Sequence, residues 1–408
     1  KSQIRTEKGE VLRSSELMGD LAWMNRSPYR RVDLVYAPGF EFGTTDLILR
    51  TNEIDPFTAY WGYENSGNDL LGEHRWVGGM TWAEAWGPDR TLSYQLTTDL
   101  EFDTISSHSM VYSMPLPWRQ SLTLLGSYVD SAATVDIDGT PLDISGTSWQ
   151  LSTRWAMPLK SIWENTSHEL EIGTDFKSSN NNLEFGGAEF FDATTHIYQA
   201  SIGYNLLAQG KKGATRIDLT GYISPGGIDD RNDDETFQQA RADASSGYVY
   251  GTFGIEHSHR LPKEMTLRLR GQGQVSADNL LASEQLGIGG PSTVRGYDTS
   301  VARGDQGVLF SAELYSPTYS IADKFDWRGT TDELRFLAFV DYAAVSNANA
   351  APGELDDQNL LSVGVGARWV YDDWLRFRLD VGFPIDETVA DPDAVESVRY
   401  HIGVTTLW

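Results

Sequence analysis

A single arginine lies in the tetrapeptide Val294-Arg295-Gly296-Tyr297, at the tip of a glycine-rich segment between two alternating stretches. Gly289, Gly290 and Gly296 permit backbone conformations that a side chain would forbid, so the segment can form a tight hairpin. A guanidinium offers a planar fork of donors that suits a carboxylate. The tetrapeptide predicts an arginine–carboxylate pair if the segment is buried, whereas in isolation it fits a solvated loop arginine better.

Other residue types that could do chemistry occur in weaker patterns. His257 and His259 can lie side by side on a strand, but no acidic residue or cysteine completes a metal site, and a pair of lumen or turn histidines fits as well. Residues 230–235 resemble the start of an EF-hand loop, yet Glu235 replaces the required glycine and Arg241 the chelating glutamate. We interpret this acidic run as a solvated outer loop, with at most weak affinity for divalent cations.

Composition narrows the possible functions. The 408 residues carry a net charge of −26, from 32 basic and 58 acidic side chains. This excludes a nucleic-acid partner, because such binding rests on neutralising phosphates with Lys and Arg. No cysteine is present, so disulfides and thiolate metal sites are unavailable. Since the sequence also contains no Gly-x-Ser-x-Gly elbow and no phosphate-binding loop, we expect no enzymatic activity, no cofactor and no metal.

The hydropathy pattern suits a membrane barrel. No stretch approaches the roughly 18–20 apolar residues of a membrane-spanning helix, and the mean hydropathy of −0.37 alone would indicate a soluble protein. Strands of a transmembrane barrel, however, alternate between lipid and lumen and average to a polar sequence. The 13 Trp and 18 Tyr fit the aromatic girdles of such barrels. Lys1–Arg5 lack the apolar region of a secretion signal, so a processed or truncated N-terminus is expected.

Residues 1–55 have a mixed α/β pattern. Apolar residues at helical spacing predict a helix over Ser14–Met24, and two short strands follow at Val32–Tyr36 and Thr45–Leu49, with a turn at Pro38-Gly39 between them. This is too little for an independent domain of ordinary size, so we expect the C-terminal part of one.

From Phe57 to the last residue, apolar and polar residues alternate, which predicts strands throughout residues 56–408. A soluble sandwich would turn the apolar face inward. A membrane barrel turns it outward and leaves the polar face in a wet lumen. The barrel interpretation places five arginines in that lumen, namely Arg268, Arg270, Arg368, Arg376 and Arg378.

Turn signals divide this region into about 16 strands, an even number that is typical of bacterial barrels. If the first strand rises from the periplasm, connectors after odd-numbered strands are the long outer loops. Residues 277–305 then form the sixth outer loop, and only the connector Pro317–Thr330 is long at the opposite end. The other predicted outer loops are 130–145, 178–194, 225–246, 344–357 and 385–394, and the predicted strand centres are residues 62, 78, 95, 109, 123, 151, 172, 201, 218, 251, 269, 310, 337, 364, 378 and 401.

The C-terminus forms one more alternating strand that ends on an aromatic residue. Tyr400, Ile402, Val404 and Trp408 share a face. In a barrel, the last strand must pair with the first so that no unpaired edge remains in lipid. These residues therefore predict a barrel-closure or assembly signal, and the alternative is an ordinary amphipathic edge strand.

Several motifs together resemble a known family, the transporters of two-partner secretion systems (the TpsB family of haemolysin and haemagglutinin secretion/activation proteins). This family belongs to the superfamily of outer-membrane barrels preceded by periplasmic POTRA domains, and the resemblance covers essentially the whole chain. It is carried by residues 21–33 (LAWMNRSPYRRVD), Pro38-Gly39, 43–47 (GTTDL), 60–67 (YWGYENSG), 115–118 (PLPW), the Val294–Tyr297 tetrapeptide, 304–307 (GDQG) with Glu313-Leu314, and 339–342 (FVDY).

The resemblance implies a barrel of 16 strands whose sixth outer loop folds into the lumen. It also implies that Arg295 pairs with Asp341 in the motif of Phe339, and alternation independently turns Asp341 inward. Ala343 departs from the family motif, which usually has glycine two residues after the aspartate. Residues 1–55 would be the end of a POTRA domain, located in the periplasm.

The expected function is export of a large secreted protein across the outer membrane of a diderm bacterium, without ATP. The resemblance implies that POTRA domains capture the unfolded passenger by adding a strand to a sheet edge, and that a monomeric barrel in outer-membrane lipid transports it. The tetrapeptide would act as a latch on the loop. The alternatives are an outer-membrane protein insertase of the same superfamily and a passive porin.

Overall fold

The computed structural model describes residues 4–27, 29–68, 70–137, 140–163, 165–180, 194–327, 329–350, 354–390 and 395–408. Its N-terminal part consists of α1 (Ser14–Met24) and an antiparallel pair of strands, β1 (Arg30–Pro38) and β2 (Thr45–Glu53). Leu17 and Met24 of α1 and Val32 of β1 are buried, as the spacing of apolar residues requires. The predicted helix and both predicted strands are confirmed, while the assignment of this part to a POTRA domain stays a prediction.

The alternating region forms sixteen antiparallel strands that close into one barrel among the described residues. Every predicted strand centre falls within one of them, so the predicted fold class is confirmed. The strands are β3 (Phe57–Glu64), β4 (Arg75–Trp82), β5 (Thr91–Thr98), β6 (Ile105–Pro115), β7 (Ser121–Ile137), β8 (Thr140–Pro158), β9 (Thr166–Ser179), β10 (Thr195–Gln209), β11 (Gly213–Pro225), β12 (Gly247–Arg260), β13 (Thr266–Ser276), β16 (Gln306–Tyr315), β17 (Asp332–Ser346), β18 (Asp357–Tyr371), β19 (Leu375–Thr388) and β20 (Arg399–Leu407).

Between β13 and β16 lies a small separate pair, β14 (Leu286–Ile288) and β15 (Ala302–Gly304). Among the described residues, two short helices lie in connectors between strands, α2 (Asp234–Ala240) and α3 (Ile321–Lys324), and a 3-10 turn covers Pro262–Glu264. The prediction of strands throughout residues 56–408 therefore missed these short helices in the connectors. In α2 the side chain of Asp233 accepts a hydrogen bond from the amide of Thr236, which satisfies a free donor at the helix start. No described helix is long and apolar enough to cross a membrane.

Burial along β17 shows which face of the barrel wall points inward. Leu337, Phe339 and Asp341 are buried, whereas Phe336 and Val340 on the opposite face are about half exposed. An apolar outer face that is open to its surroundings is the pattern of a strand that faces lipid. The predicted outward apolar face is confirmed on this strand.

Ion pairs place the N-terminal elements at one end of the barrel. Asp20 of α1 accepts a contact of 2.7 Å from Arg119 in the turn after β6. Arg26 and Arg30 contact Asp89, in the turn after β4, at 3.0 and 2.8 Å. The connectors after even-numbered barrel strands, most of which are short, lie at this end, so we call it the short-turn end. We call the opposite end the long-loop end.

One predicted outer loop was wrong. Residues 130–145 were expected to be a long connector, but β7 and β8 continue as a paired hairpin from Ser131↔Gly146 to Ile137↔Thr140. Alternation is a local signal and does not say where a hairpin stops. The other predicted outer loops agree with the strand limits, although the connectors 178–194, 344–357 and 385–394 lie partly outside the described residues.

Pairing of β20 with β3 closes the barrel. The register runs from Gly403↔Glu64 to Leu407↔Tyr60. Beyond it, the amide of Trp408 donates to the carbonyl of Ala59 at 2.8 Å, and the amide of Ala59 donates back at 3.0 Å. The seam is thus hydrogen-bonded to the last residue.

Candidate functional site

The segment between β13 and β16, residues 277–305, lies against the inward face of the barrel wall. We call it the inner loop. Ile288, Val294 and Tyr297 of the inner loop are almost completely buried. They belong to one apolar cluster with wall residues whose side chains point inward, which include Leu309, Ala343, Val345 and Leu360. Packing of this apolar surface holds the hairpin on the wall formed by β16, β17 and β18.

Arg295 at the tip of the inner loop forms a bidentate ion pair with Asp341 of β17. Its Nε donates to Oδ2 at 2.7 Å and its Nη2 to Oδ1 at 2.9 Å. The backbone amide of Arg295 also donates to Oδ2, at 3.2 Å. Arg295 is 4% exposed and Asp341 0%, so both charges are removed from water and depend on each other.

Three neighbours that were not predicted as site residues complete the surroundings of Arg295. Its Nη1 donates to Glu313 at 2.7 Å and lies 3.6 Å from Asp380. Ser311 donates to Asp341 at 2.6 Å, which fixes that carboxylate. Glu313 was quoted only as part of a family motif, and Ser311 and Asp380 carried no signal in the sequence beyond their inward position in the alternation.

The aromatic ring of Phe339 supports the guanidinium from one face. The Cζ atom of Arg295 lies 3.6 Å from the ring centroid of Phe339, a cation–π contact. Burial lowers the pKa of Arg295, but the hydrogen bonds and charge of Asp341, with the charges of Glu313 and Asp380, outweigh it and raise that pKa. Arg295 is therefore a permanent cation at this site.

Gly296 brings the tip into contact with the seam strands. Its φ is +99°, a conformation that favours glycine, and its amide donates to Nε2 of His401 at 3.1 Å. Tyr297 then donates to the carbonyls of Leu361 at 2.9 Å and Asp386 at 3.1 Å. The Val294–Tyr297 tetrapeptide thus contacts β17, β18, β19 and β20 at once.

Two further contacts tie the inner loop to the region where the barrel closes. Asp298 forms an ion pair with Arg399 of β20, and Arg399 also contacts Glu73 at 2.9 Å. The hydroxyl of Thr299 donates to the carbonyl of Ser66, in the connector after β3, at 2.8 Å.

A second buried arginine holds the base of the inner loop. Nη1 of Arg241, which follows α2, forms an ion pair with Oδ1 of Asp305 at 2.5 Å, and Nη2 donates to Oδ2 at 3.1 Å. Nη1 donates as well to the carbonyl of Leu280 at 2.7 Å, and Nη2 to Asn347 at 3.0 Å. Glu354 accepts from Nε at 3.3 Å. Three connectors at the long-loop end therefore meet on one guanidinium.

The sequence alone does not predict the pair of Arg241 and Asp305. Arg241 was noted only as a residue that spoils an EF-hand pattern, and Asp305 only as part of the 304–307 motif. The sequence holds two weak signals: Arg241 follows a short run that contains the apolar Phe237, and Asp305 follows Gly304 in the 304–307 motif. Neither indicates a partner by itself, because the two residues are 64 positions apart.

The inner loop also contacts the part of the wall that lies on the other side of β13 from β16, β17 and β18. Glu284 accepts hydrogen bonds from Lys177 of β9 at 2.6 Å and from Tyr250 of β12 at 2.9 Å. The Glu284 side chain is 0% exposed. The loop is therefore attached by charged contacts at its tip, at its base and through Glu284.

The acidic run 230–235 is less solvated than expected. Asn232 is fully buried and donates to the carbonyl of His196 at 2.8 Å. Next to it, burial raises the pKa of Asp229, but hydrogen bonds from His196, the Arg231 amide and Tyr198 outweigh burial and lower that pKa to about 2. Asp230, Arg231, Asp234 and Glu235 are exposed, so the interpretation of this run as a solvated loop fits most of its residues.

The other predicted residues lie where alternation puts them. Tyr400 is 56% exposed and Trp408 71%, on the outer face of the closing strand, and Ile402 and Val404 share that face. His257 and His259 lie on the face of β12 opposite to the buried Tyr248 and Tyr250, so they point outward rather than into the lumen as one interpretation had it. Their rings stack at 5.8 Å.

A closed sixteen-stranded barrel with an apolar outer face and a long loop bound to its inner wall defines an outer-membrane β-barrel protein. A family model described as haemolysin secretion/activation protein ShlB/FhaC/HecB matches residues 43–369, well over half of the chain. The chain belongs to this family. It is an outer-membrane transporter of the two-partner secretion type, which exports a secreted protein.

Individual relatives agree with this assignment. The chain is 23% identical to the outer membrane transporter CdiB of Dickeya dadantii, over 98% of this chain and 69% of the relative. It is 21% identical to the heme/hemopexin transporter protein HuxB of Haemophilus influenzae, over 78% of this chain and 56% of the relative. The solved structure of CdiB from Escherichia coli superimposes with a TM-score of 0.83, at 16% identity, over 100% of this chain and 73% of that one.

Proposed function

We propose that the barrel exports its partner as an unfolded chain, and that the inner loop is a latch which must leave its position for the passenger to cross. The observation that carries this proposal is the contact set of Arg295. One guanidinium at the tip of a loop engages Asp341 in a bidentate pair, Glu313 and the ring of Phe339. These contacts strongly stabilise one position of the loop, because removing one partner of a buried ion pair costs about 3–5 kcal/mol.

In this proposal the residues of the site act mechanically. Arg295 and Asp341 hold the tip, and Gly296 allows its close approach to the wall. They transfer no group and bind no cofactor, so the protein is a transporter without enzymatic activity. Residues 1–55 are the end of a POTRA domain at the periplasmic, short-turn end, where a passenger strand would add to a sheet edge. The barrel acts as a monomer.

A reversible cross-link tests the movement of the loop. Thr299 of the inner loop lies next to Ser66 of a fixed connector, and the chain contains no cysteine, so a Thr299→Cys/Ser66→Cys variant can form only the designed disulfide within the chain. We expect export of the exoprotein partner to stop under oxidising conditions and to resume with a reductant. The two single-cysteine variants are matched controls and should export normally.

A substitution at the tip tests the latch itself. Arg295→Ala should impair export while the barrel still assembles, as shown by heat-modifiable migration in SDS gels. Arg295→Lys keeps the charge but cannot form the bidentate fork, so it should be impaired as well, to a smaller degree. Normal export by Arg295→Ala, or by a fully cross-linked double cysteine variant, contradicts the proposal.

The family assignment favours protein secretion over the insertase and porin alternatives. A porin would conduct with a large and steady open-channel current, whereas a pore held by a latch should show transitions between closed and open states. Current recordings in planar bilayers therefore separate the porin from the transporter.

A further inference from the structure

Three arginines lie side by side on the inward face of neighbouring strands. Arg335 of β17 is directly opposite Arg368 of β18, and Arg368 is directly opposite Arg378 of β19. We call these three residues the arginine row. It lies at the short-turn end, since Arg335 and Arg378 are each the fourth residue of a strand that starts there. Along β17 it is six residues, or about 20 Å, from Asp341.

This arrangement is unfavourable for the folded protein by itself. Directly opposite residues in an antiparallel pair have Cβ atoms about 4.5–5.5 Å apart, and like charges at such positions destabilise a sheet. The chain has a net charge of −26, so carboxylates to neutralise the row are plentiful in the sequence. Among the described residues, only Arg368 has one within ion-pair distance, Asp380, to which its Nη2 donates at 2.9 Å.

The two outer members of the row have no carboxylate partner among the described residues. Arg335 donates to the carbonyl of Ser316 at 3.2 Å and to the hydroxyl of Thr266 at 3.0 Å, and it lies 5.0 Å above the ring of Tyr315. Arg378 extends over a glycine of β20, Gly403, where an added Cβ would lie 3.7 Å from its Nε. Both are positioned by neutral groups and keep their charge available.

Further lumen arginines extend the positive surface. Arg376 is exposed on the same strand and face as Arg378. Arg270 of β13 donates to the carbonyl of Ser292 in the inner loop, and its Nε is buried without a hydrogen-bond partner. Arg376 and Arg270 thus add positive charge to the inward face of the wall beside the row.

We propose that the arginine row is a binding track for carboxylate-bearing segments of the exported polypeptide, which it receives before they reach the inner loop. This inference rests on the proposed export function and adds the chemistry of the substrate. A guanidinium suits this task because it stays charged and pairs with carboxylates in a planar fork. The polypeptide would supply the carboxylates that Arg335 and Arg378 lack.

Channel recordings with defined peptides test the track. The full-length protein is reconstituted in planar bilayers, and unstructured 12-residue peptides rich in glutamate or in lysine are added on the short-turn side. We expect the acidic peptide to block current at a concentration at least tenfold lower than the basic one. Arg335→Gln/Arg378→Gln should remove most of this difference, and Arg335→Glu/Arg378→Glu should reverse it.

A matched control is available on another part of the wall. Arg216 of β11 also points inward, but it lies directly opposite Glu256. Arg216→Gln should leave the preference for the acidic peptide within about twofold of the wild type. Thermal stability gives a second readout: because the row is self-repulsive, Arg335→Gln/Arg378→Gln should unfold at the same or a higher temperature. A purely structural role predicts a lower one.

The outcomes separate this inference from the export function. Three results would overturn the proposal of a binding track. They are equal block by both peptides, an unchanged preference for the acidic peptide in Arg335→Gln/Arg378→Gln, and a loss of thermal stability in that variant. Such a result would not contradict the proposed export of the exoprotein. A wild-type protein that is blocked selectively by the acidic peptide but exports nothing overturns the export proposal and leaves the track in place.

Discussion

Gly296 and Gly382 meet backbone to backbone: a Cβ atom on Gly382 would lie 2.5 Å from the amide nitrogen of Gly296 and 2.6 Å from its Cα. The tip of the inner loop can approach β19 only because both residues lack a side chain. The contact sits next to Arg295, so the fit between loop and wall also sets the position of the ion pair with Asp341.

Gly382→Ala should therefore displace the tip without removing any charged group. Forcing a methyl group into a filled space costs about 1–3 kcal/mol, and we expect more frequent channel opening in planar bilayers than for the wild type. The matched control is Gly126→Ala on β7, where an added Cβ would meet nothing within 4 Å. Identical gating by both variants would contradict the role of this contact.

Arg241→Ala should destabilise the long-loop end. The substitution leaves Asp305, which is 0% exposed, as a buried carboxylate without its cation, and the expected loss is about 3–5 kcal/mol. Urea unfolding in detergent measures it. Arg231→Ala is the control, because Arg231 is exposed on the same connector and should change stability by about 0.5 kcal/mol or less.

Removal of Trp408 should reduce the fraction of barrels that close. The deletion eliminates the two hydrogen bonds between Trp408 and Ala59 that end the seam, and with them an aromatic side chain at the membrane interface. Heat-modifiable migration of freshly assembled protein reports the folded fraction. Trp408→Phe keeps the backbone pairing and a ring, so it should assemble nearly as well as the wild type. If the deletion variant also assembles as well as the wild type, Trp408 is not part of a barrel-closure signal.

The N-terminal elements should detach at low pH. Burial raises the pKa of Asp20, but hydrogen bonds from Arg5 and Arg119 outweigh it, so the pKa lies below its ordinary value of 3.8. A lowered pKa means that the carboxylate contributes its full stability above pH 3.8 and loses it as the pH falls through the lowered value. Below the lowered pKa, spin labels at Met18→Cys and Trp118→Cys should show a broader distribution of distances than at pH 7.

The control for this titration is Asp20→Asn, which cannot carry the charge. It should show the broad distance distribution at every pH, including pH 7. A narrow distribution in that variant at neutral pH would mean that other contacts, such as those of Arg26 and Arg30 with Asp89, hold the N-terminal elements alone.

The sequence by itself determined the strands, their faces and the class of protein. Alternation with a period of two depends only on neighbouring residues, so it located all sixteen barrel strands and turned Asp341 to the same side as Phe339 without knowledge of the fold. The helix Ser14–Met24 followed from local spacing in the same way. The Val294–Tyr297 tetrapeptide stood out because glycines flank a lone arginine.

Only the tertiary structure decided which residues meet. Arg241 and Asp305 are 64 positions apart, and Gly296 and His401 are 105 apart, so closure of the barrel and the fold of the inner loop bring them together. The same holds for the arginine row, because the register of β17, β18 and β19 aligns Arg335, Arg368 and Arg378. A one-residue change of register would have turned the facing side chains to opposite sides of the wall, and no local pattern fixes that choice.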